Sequence, residues 1–492
     1  MPTPVVAYFL APKWISWRAV VLLALVTLFI ANPRAHAGHG LRNDAVAGAS
    51  QAVLLGSAER AGEALEFLRQ RGKQDVVAGL ILALQFSNND EAPILATLKA
   101  LTGHEAKDWF EWMLWQEANP KLRPHPSFAA LMVDTLRRVD PKFDLFFRAG
   151  WQNGDGMRVR MEEIVWGGVA AMTGIPSLDY PHMIAAAAAD YLTGDDLVFA
   201  VEIAGDARAY PLRIMGWHEM LNDTIGGVPV ALAYCTLCGS GILYETLLRG
   251  RAELPGRGQP FVFGSSGLLY RSNKLMFDWE TLSLWNQFTG EPVAGPLAKS
   301  GIRLKIRPVA ITTWRQWRQD HPETTVLAAE TGYRRDYSSD VVYKDYFASP
   351  DLMFPSLVRP GSPLQQKAYV FGIRTFGAAK AWPLAAFKGG AVINDALAGR
   401  NLVLLGDSAS RTVRAYERGE HTFAAHDQIG KLQAANGPWT VTEAALIGPG
   451  GARLPRVAGH IAYWFAWDNY LGVESQLYTV SAAPKPKPDK AE

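Results

Sequence analysis

An internal repeat is the feature that most constrains the fold of this 492-residue chain. Residues 198–212 (VFAVEIAGDARAYPL) align without a gap with residues 370–384 (VFGIRTFGAAKAWPL), at an offset of 172. At the same offset the match extends to two copies, about 198–245 and 370–417, and both carry an ND dipeptide. Each copy follows the order strand, turn, strand, an "A-aromatic-P-L" corner, a polar turn and a further strand. The fold therefore has to accommodate two similar β units.

The rest of the chain divides into two regions of different character. Apolar residues recur at helical spacing in the first region, as in residues 75–86 and 92–101. After Gly150, prolines, glycines and short apolar runs alternate, which is typical of β structure. We therefore predict an α+β chain, with a helical N-terminal domain over 41–150 and a β-rich domain over 165–475 that contains the degenerate duplication.

The first residues have the pattern of an export signal. Lys13 and Arg18 precede an apolar run over 19–31. Ala35-His36-Ala37 then forms an A-x-A cleavage site. The run is shorter than the roughly 20 residues of a membrane span. We predict a signal peptide over 1–37 and export to a bacterial periplasm, with no membrane insertion after cleavage. An uncleaved membrane anchor is the alternative.

Composition restricts the partners of the chain. The formal net charge is only +2, which argues against the electrostatic footprint of a nucleic-acid-binding protein. The Pro/Lys-rich end, 482–492, is polar and is expected to be disordered. The sequence names no partner, although the helical domain could bind a periplasmic protein.

Both cysteines of the chain lie in the segment YCTLCGS, as Cys235 and Cys238. At the repeat offset they correspond to Asp407 and Ser410, so the second copy has no thiol at this turn. The fold therefore does not require the cysteines there. This favours a functional site on the first copy over a structural disulfide.

A soft metal ion is the first hypothesis for this Cys-x-x-Cys pair. Two thiolates at this spacing can bind one soft ion, but further ligands are needed. Imidazole and thioether groups beside the thiolates would suit copper as well as zinc. The candidate ligands and their neighbours are His218, Glu219, Met215, Met220 and His460. Each histidine also has a simpler interpretation, His218 as a hydrogen-bonded corner residue and His460 as part of an aromatic core.

Other chemistries stay open for the same pair. A periplasmic thiol–disulfide oxidoreductase is the main alternative, although Gly239 and Gly241 argue against a helix after the motif. A cysteine nucleophile with His218 as its base is a further hypothesis. The blandest interpretation is a structural or incidental disulfide in an interaction or scaffold protein, and so short a loop would gain only about 2 kcal/mol from it.

A second block, residues 261–278, places small polar side chains among apolar ones. Ser272, Asn273 and Asp278 are the members that could line a pocket. The same residues are also typical of satisfied turns between strands. Both interpretations stay open on the residues alone.

These blocks together resemble the bacterial and archaeal family known as domain of unknown function 3179. The resemblance is carried by AYPL at 209–212 with WHE at 217–219, YCTLCG at 234–239, FGSSGLLYRSN at 263–273, and residues 278–285. It covers at least residues 175–470. Thr236 stands where the family usually has proline. The resemblance implies that the histidine, cysteine and Ser-Asn blocks belong to one site, but it implies no reaction.

Overall fold

The computed structural model describes residues 44–147, 156–248 and 258–479. The predicted signal peptide and C-terminal tail lie outside these residues. Among the described residues no helix has both the length and the apolar character needed to cross a membrane.

Residues 44–147 contain six α-helices. Their bounds are α1 Ala45–Leu55, α2 Ala58–Arg71, α3 Val77–Phe86, α4 Glu91–Thr102, α5 Trp109–Ala118 and α6 Phe128–Val139. Local sequence explains the boundaries. Asp90 accepts a hydrogen bond from the Ala92 N–H at the start of α4, and Gly103 ends the same helix with φ +72°, where glycine carries no steric cost.

The β-rich region contains 27 short strands and four further helices in the described chain. Strands β1–β8 are Ile164–Trp166, Leu178–Asp179, Met183–Ala185, Leu197–Ile203, Asp206–Pro211, Met220–Ile225, Val228–Cys235 and Ser240–Glu245. Strands β9–β15 are Phe263–Tyr270, Asn273–Asp278, Leu284–Asn286, Glu291–Ala294, Lys305–Arg307, Ala310–Thr313 and Thr325–Leu327.

The remaining elements belong to the second half of this region. Strands β16–β20 are Tyr369–Thr375, Ala378–Pro383, Ala391–Leu397, Arg400–Asp407 and Thr412–Glu417. Strands β21–β27 are Ala424–Ala425, Lys431–Ala434, Gly437–Val441, Ala445–Ile447, Arg453–Val457, His460–Tyr463 and Ser475–Leu477. The helices are α7 Leu212–His218, α8 Trp314–Asp320, α9 Lys344–Ala348 and α10 Trp464–Leu471. The predicted order, helical region first and β-rich region second, is confirmed.

The repeated sequence forms two units with the same strand pairing. In the first unit the sheets run β13-β8-β7-β6 and β14-β4-β5-β15, and in the second they run β25-β20-β19-β18 and β26-β16-β17-β27. In both units the final strand of the repeated order pairs in parallel, β15 with β5 and β27 with β17. The duplication therefore extends beyond the ungapped sequence match, through a helix and three more strands in each copy.

Each unit carries an insertion, which lies between β8 and β13 in the first unit and between β20 and β25 in the second. In each case an asparagine side chain holds a phenylalanine at the first strand of the insertion. The Asn222 side chain donates to the Phe263 carbonyl and accepts from the Phe263 N–H. Asn394 makes the same two bonds with Phe423. We call this pair of bonds the asparagine bridge. In the first unit the bridged insertion is β9–β12, which supplies part of the candidate site.

One large apolar core joins the two regions. Trp112 of α5 and Leu98 of α4 are fully buried in the same cluster as Phe277 and Trp285 of the first insertion. The rings of Phe146 and Phe277 lie 5.2 Å apart across the junction. The helical region therefore packs directly on the insertion that supports the site.

Candidate functional site

The two cysteines lie at opposite ends of the tight turn between β7 and β8. Cys235 is the last residue of β7 and pairs with Ser240, and the Cys238 N–H donates to the Cys235 carbonyl at 3.2 Å. Gly239 closes the turn at φ +56°, where a Cβ would lie 2.9 Å from the Tyr369 ring. The fold therefore places both thiols on one side of a four-residue loop.

The second unit builds the same turn without thiols. Asp407 and Thr412 pair as Cys235 and Ser240 do, and Arg411 takes the φ of Gly239, at +55°. The Ser410 hydroxyl donates to the Asp407 carboxylate at 2.8 Å across the loop. A carboxylate–hydroxyl bond thus spans the positions that the two cysteines occupy in the first unit.

Both cysteines are free thiols, and both are buried. Cys235 is 1% exposed and Cys238 is 0% exposed. The Cys238 thiol donates to the Ser272 carbonyl, with Sγ to O at 3.3 Å. The Asn273 amide donates to Cys238 Sγ at 3.1 Å. Both cysteines belong to the apolar core, and Cys238 is in addition tied to a polar network.

The network is supplied by strands from both sides of the turn. Gln287 accepts a hydrogen bond from Asn273 and donates to the carbonyls of Ala233 and Ser240. Ser272 and Asn273 come from the turn between β9 and β10, in which Arg271 and Ser272 both adopt positive φ, +49° and +59°. Two successive non-glycine residues in that region carry strain, a feature that clusters at functional sites.

A buried lysine and glutamate complete the network. Lys274 Nζ donates to the carbonyls of Glu219 and Tyr234, at 2.7 and 3.0 Å, and lies 3.7 Å from the Glu219 carboxylate. The carboxylate also accepts from the Thr236 hydroxyl at 2.8 Å. Burial lowers the pKa of Lys274 and raises that of Glu219, and the opposite charge of the partner limits both shifts. Charged pairs at this depth are rare, so they mark a candidate functional site.

These surroundings make the two thiols unequal. Burial raises the pKa of Cys235, but the neighbouring Cys238 thiol and the N–H and charge of Lys274 outweigh burial, so that the pKa lies below its ordinary value. Burial and the neighbouring Cys235 raise the pKa of Cys238 well above the ordinary value. The surroundings therefore favour the thiolate form at Cys235 over the thiolate form at Cys238.

Part of the segment that joins the two units covers this turn. The Tyr346 hydroxyl of α9 donates to the Leu237 carbonyl at 2.6 Å. Lys367 Nζ donates to the carbonyls of Tyr346 and Ser349 and holds the short helix in place. We call residues 343–349 the cap. From the second unit, the Tyr463 N–H donates to the Cys238 carbonyl at 2.7 Å.

His218 is engaged elsewhere. Its Nδ1 contacts the Pro176 carbonyl at 2.9 Å and its Nε2 contacts the Tyr337 hydroxyl at 2.6 Å. Burial lowers its pKa to about 4, so the ring is neutral. Because the carbonyl can only accept, Nδ1 carries the proton and Tyr337 donates to Nε2. Within the described ranges no hydrogen bond joins His218 to either thiol.

The other candidates fall into two groups. Ser272, Asn273 and Glu219 lie in the network around the thiols. Met215 and Met220 are fully buried in apolar clusters, and Asp278 accepts from Trp285 Nε1 at 2.7 Å in a tight turn. His460 packs against the rings of Phe288 and Trp467, and burial lowers its pKa to about 3.

The donor set does not complete a metal site by itself. Across residues 44–147, 156–248 and 258–479, no group of three or more His, Cys, Asp and Glu side chains is arranged to hold a metal ion. The two thiols offer two soft donors, and both nitrogens of His218 already have partners. Copper or zinc at this turn stays a prediction of the sequence.

Sequence reasoning missed several members of the network. Lys274 and Gln287 lie in blocks rich in apolar residues. A lone lysine in such a block was the available signal, and the structure shows that every residue of its strand is buried. Tyr346 and Lys367 could not be found in the same way, because nothing in the cysteine motif points to a segment more than 100 residues away.

Comparison with known families gives one match. Residues 172–473, well over half of the chain, match the family described as "Protein of unknown function (DUF3179)". Neither the curated proteins nor the solved structures include a match to this chain.

Proposed function

This chain belongs to the DUF3179 family of proteins of unknown function, and we propose that Cys235 and Cys238 form a dithiol/disulfide redox centre. The observations that support this most directly are the two buried free thiols on one short turn and the buried Lys274 ammonium group, which donates to the carbonyls of Glu219 and Tyr234 beside them. A thiolate next to a cation and a second thiol is the arrangement that thiol–disulfide exchange uses.

The chemistry is a two-electron exchange between the pair and an external oxidant. Cys235 attacks as the thiolate, and Cys238 then displaces the bound group to close the disulfide. The three-residue spacing closes only a short loop, so the disulfide contributes little stability and can be reduced again. Export to the periplasm, which is also part of this proposal, would place the pair in a compartment where disulfides persist.

The test is a redox titration of the purified chain in glutathione buffers. Alkylation followed by mass spectrometry counts the free thiols at each ratio of reduced to oxidised glutathione. We expect a single two-electron transition in which both thiols disappear together, and Cys238→Ser should leave a mixed disulfide with glutathione on Cys235. A pair that stays reduced or oxidised at every ratio would contradict the proposal.

The metal hypothesis of the sequence is tested on the same sample. Metal content is measured after purification without chelator, for the native chain and for His218→Gln. One equivalent of copper or zinc that is lost with His218→Gln would favour the metal site. A redox transition that His218→Gln leaves unchanged would favour the dithiol. An inert disulfide without metal would favour the interaction or scaffold interpretation.

A further inference from the structure

The burial of the two thiols limits the size of any molecule that can react with them. At exposures of 1% for Cys235 and 0% for Cys238, a bulky disulfide can approach in line with the sulfur only when the residues that cover the turn move aside. A cavity of about 260 Å³ in the described chain is lined by residues of the segments 177–182 and 327–333, and neither cysteine borders it. The pair is therefore accessible first to a molecule of a few atoms.

Two polar atoms at the thiols have no partner. Ser272 Oγ and Asn273 Oδ1 belong to side chains that are 2% and 0% exposed, and neither atom makes a hydrogen bond within the described chain. Both residues contact Cys238, one through its carbonyl and the other through its amide nitrogen. Buried polar atoms are almost always paired, so a missing partner indicates a small polar molecule.

The two unpaired atoms have complementary chemistry. A serine hydroxyl can donate a hydrogen bond, whereas an amide oxygen can only accept one. A hydroperoxide has one oxygen that accepts and a terminal O–H that donates. The residues beside Cys238 thus offer one partner to each end of a peroxide.

Resting on the redox centre proposed above, we propose that the oxidant of this pair is hydrogen peroxide, bound by Ser272 Oγ and Asn273 Oδ1 beside Cys238. The Cys235 thiolate bonds to one peroxide oxygen, the O–O bond breaks, and the other oxygen leaves as hydroxide and is protonated to water. Cys238 then attacks the sulfenic acid on Cys235, and a second water leaves as the disulfide forms. Two thiols lose two electrons and one peroxide gains them, and a low-molecular-weight thiol restores the reduced pair.

The experiment compares oxidants of different size on the reduced, full-length chain. Thiol loss is followed with hydrogen peroxide, with tert-butyl hydroperoxide and with oxidised glutathione. We expect hydrogen peroxide to react at least tenfold faster than tert-butyl hydroperoxide. The product should be two hydrogens lighter than the reduced chain, and Cys238→Ser should stop at an added oxygen.

The variant Ser272→Ala tests the proposed contact. It should slow the reaction with hydrogen peroxide at least fivefold more than it slows the reaction with oxidised glutathione. Ser265→Ala is the matched control, since Ser265 Oγ is another buried, unpaired hydroxyl on the same hairpin. Thermal unfolding of both variants shows whether either has lost its fold.

The outcomes separate this inference from the proposed function. Exchange with glutathione, together with equal rates for the two peroxides, would overturn the peroxide assignment and leave the redox centre standing. Ser272→Ala slowing both oxidants equally would also overturn it, because the residue would then only support the turn. A chain that reacts with neither peroxide nor glutathione would overturn both.

Discussion

Removing the Tyr346 hydroxyl should expose the cysteine pair without changing the pair itself. The variant Tyr346→Phe deletes one hydrogen bond, the 2.6 Å contact with the Leu237 carbonyl in the middle of the cysteine turn. The ring stays in place beside Lys367, whose ammonium lies 3.7 Å from its centroid. The change therefore weakens the attachment of the cap and little else.

The size of the effect follows from that single bond. A typical intramolecular hydrogen bond contributes about 0.5–1.5 kcal/mol, which corresponds to an increase of about two- to twelvefold in the population of the open cap. Labelling of a buried thiol reports this population when the cap opens and closes faster than the reagent reacts. We therefore expect the reduced variant to react with a neutral maleimide about two to twelve times faster than the native chain.

The matched control is Tyr416→Phe in the second unit. Tyr416 is also buried, and its hydroxyl donates to the Thr442 carbonyl at 2.7 Å, so the same bond is lost away from the thiols. Its labelling rate should equal that of the native chain. Equal rates for Tyr346→Phe and Tyr416→Phe would refute the reasoning that the cap controls access to the pair.

Three other changes have defined outcomes. Lys274→Met should raise the pKa of Cys235, because the nearby ammonium no longer favours the thiolate. The pH profile of iodoacetamide alkylation should therefore move to higher pH. The control Lys380→Met, in the second unit, should leave this profile unchanged. His218 has a pKa of about 4 in the folded chain, against an ordinary value of 6.5, so the folded ring is neutral. Because this residue binds a proton more tightly in the unfolded chain, the stability of the fold decreases as the pH drops from 6.5 to 4. The slope contributed by this group is at most about 1.4 kcal/mol per pH unit, and His218→Gln should remove it from urea-unfolding midpoints measured across that window. The double variant Cys235→Ser, Cys238→Ser should keep its melting temperature within about 5 °C, because the second unit forms the same turn without thiols.

The sequence predicted the order of the regions well, because it rests on patterns that are local. Helical spacing and capping residues such as Asp90 and Gly103 act within a few residues, and the repeat offset carries the strand order from one copy to the other. The parallel pairing of β15 and β27 was not predicted, since these strands lie beyond the ungapped match.

The site could be predicted only in part. The cysteine motif and the Ser272–Asn273 block were recognisable, and the structure places them in contact. The grouping of His218 with the thiols stays a prediction without a contact to support it, because the chain reverses at Glu219, where φ is +57°, and the histidine ring is held by Pro176 and Tyr337. Proximity in sequence does not determine the side on which a helix-terminal side chain lies. The cap depends on long-range packing, which no local pattern reports.

The asparagine bridge has a consequence for how such a chain can change. Asn222 and Asn394 hold the first residue of each insertion by the same pair of bonds, although β9–β12 and β21–β24 differ in sequence and strand length. The duplicated strands thus form the same framework in both units, and each framework holds a different insertion. One insert brings Asn273, Lys274 and Gln287 to the turn, while the other leaves the corresponding turn closed by Asp407 and Ser410. New chemistry can therefore arise by replacing an insert, with no need to redesign the strands that hold it.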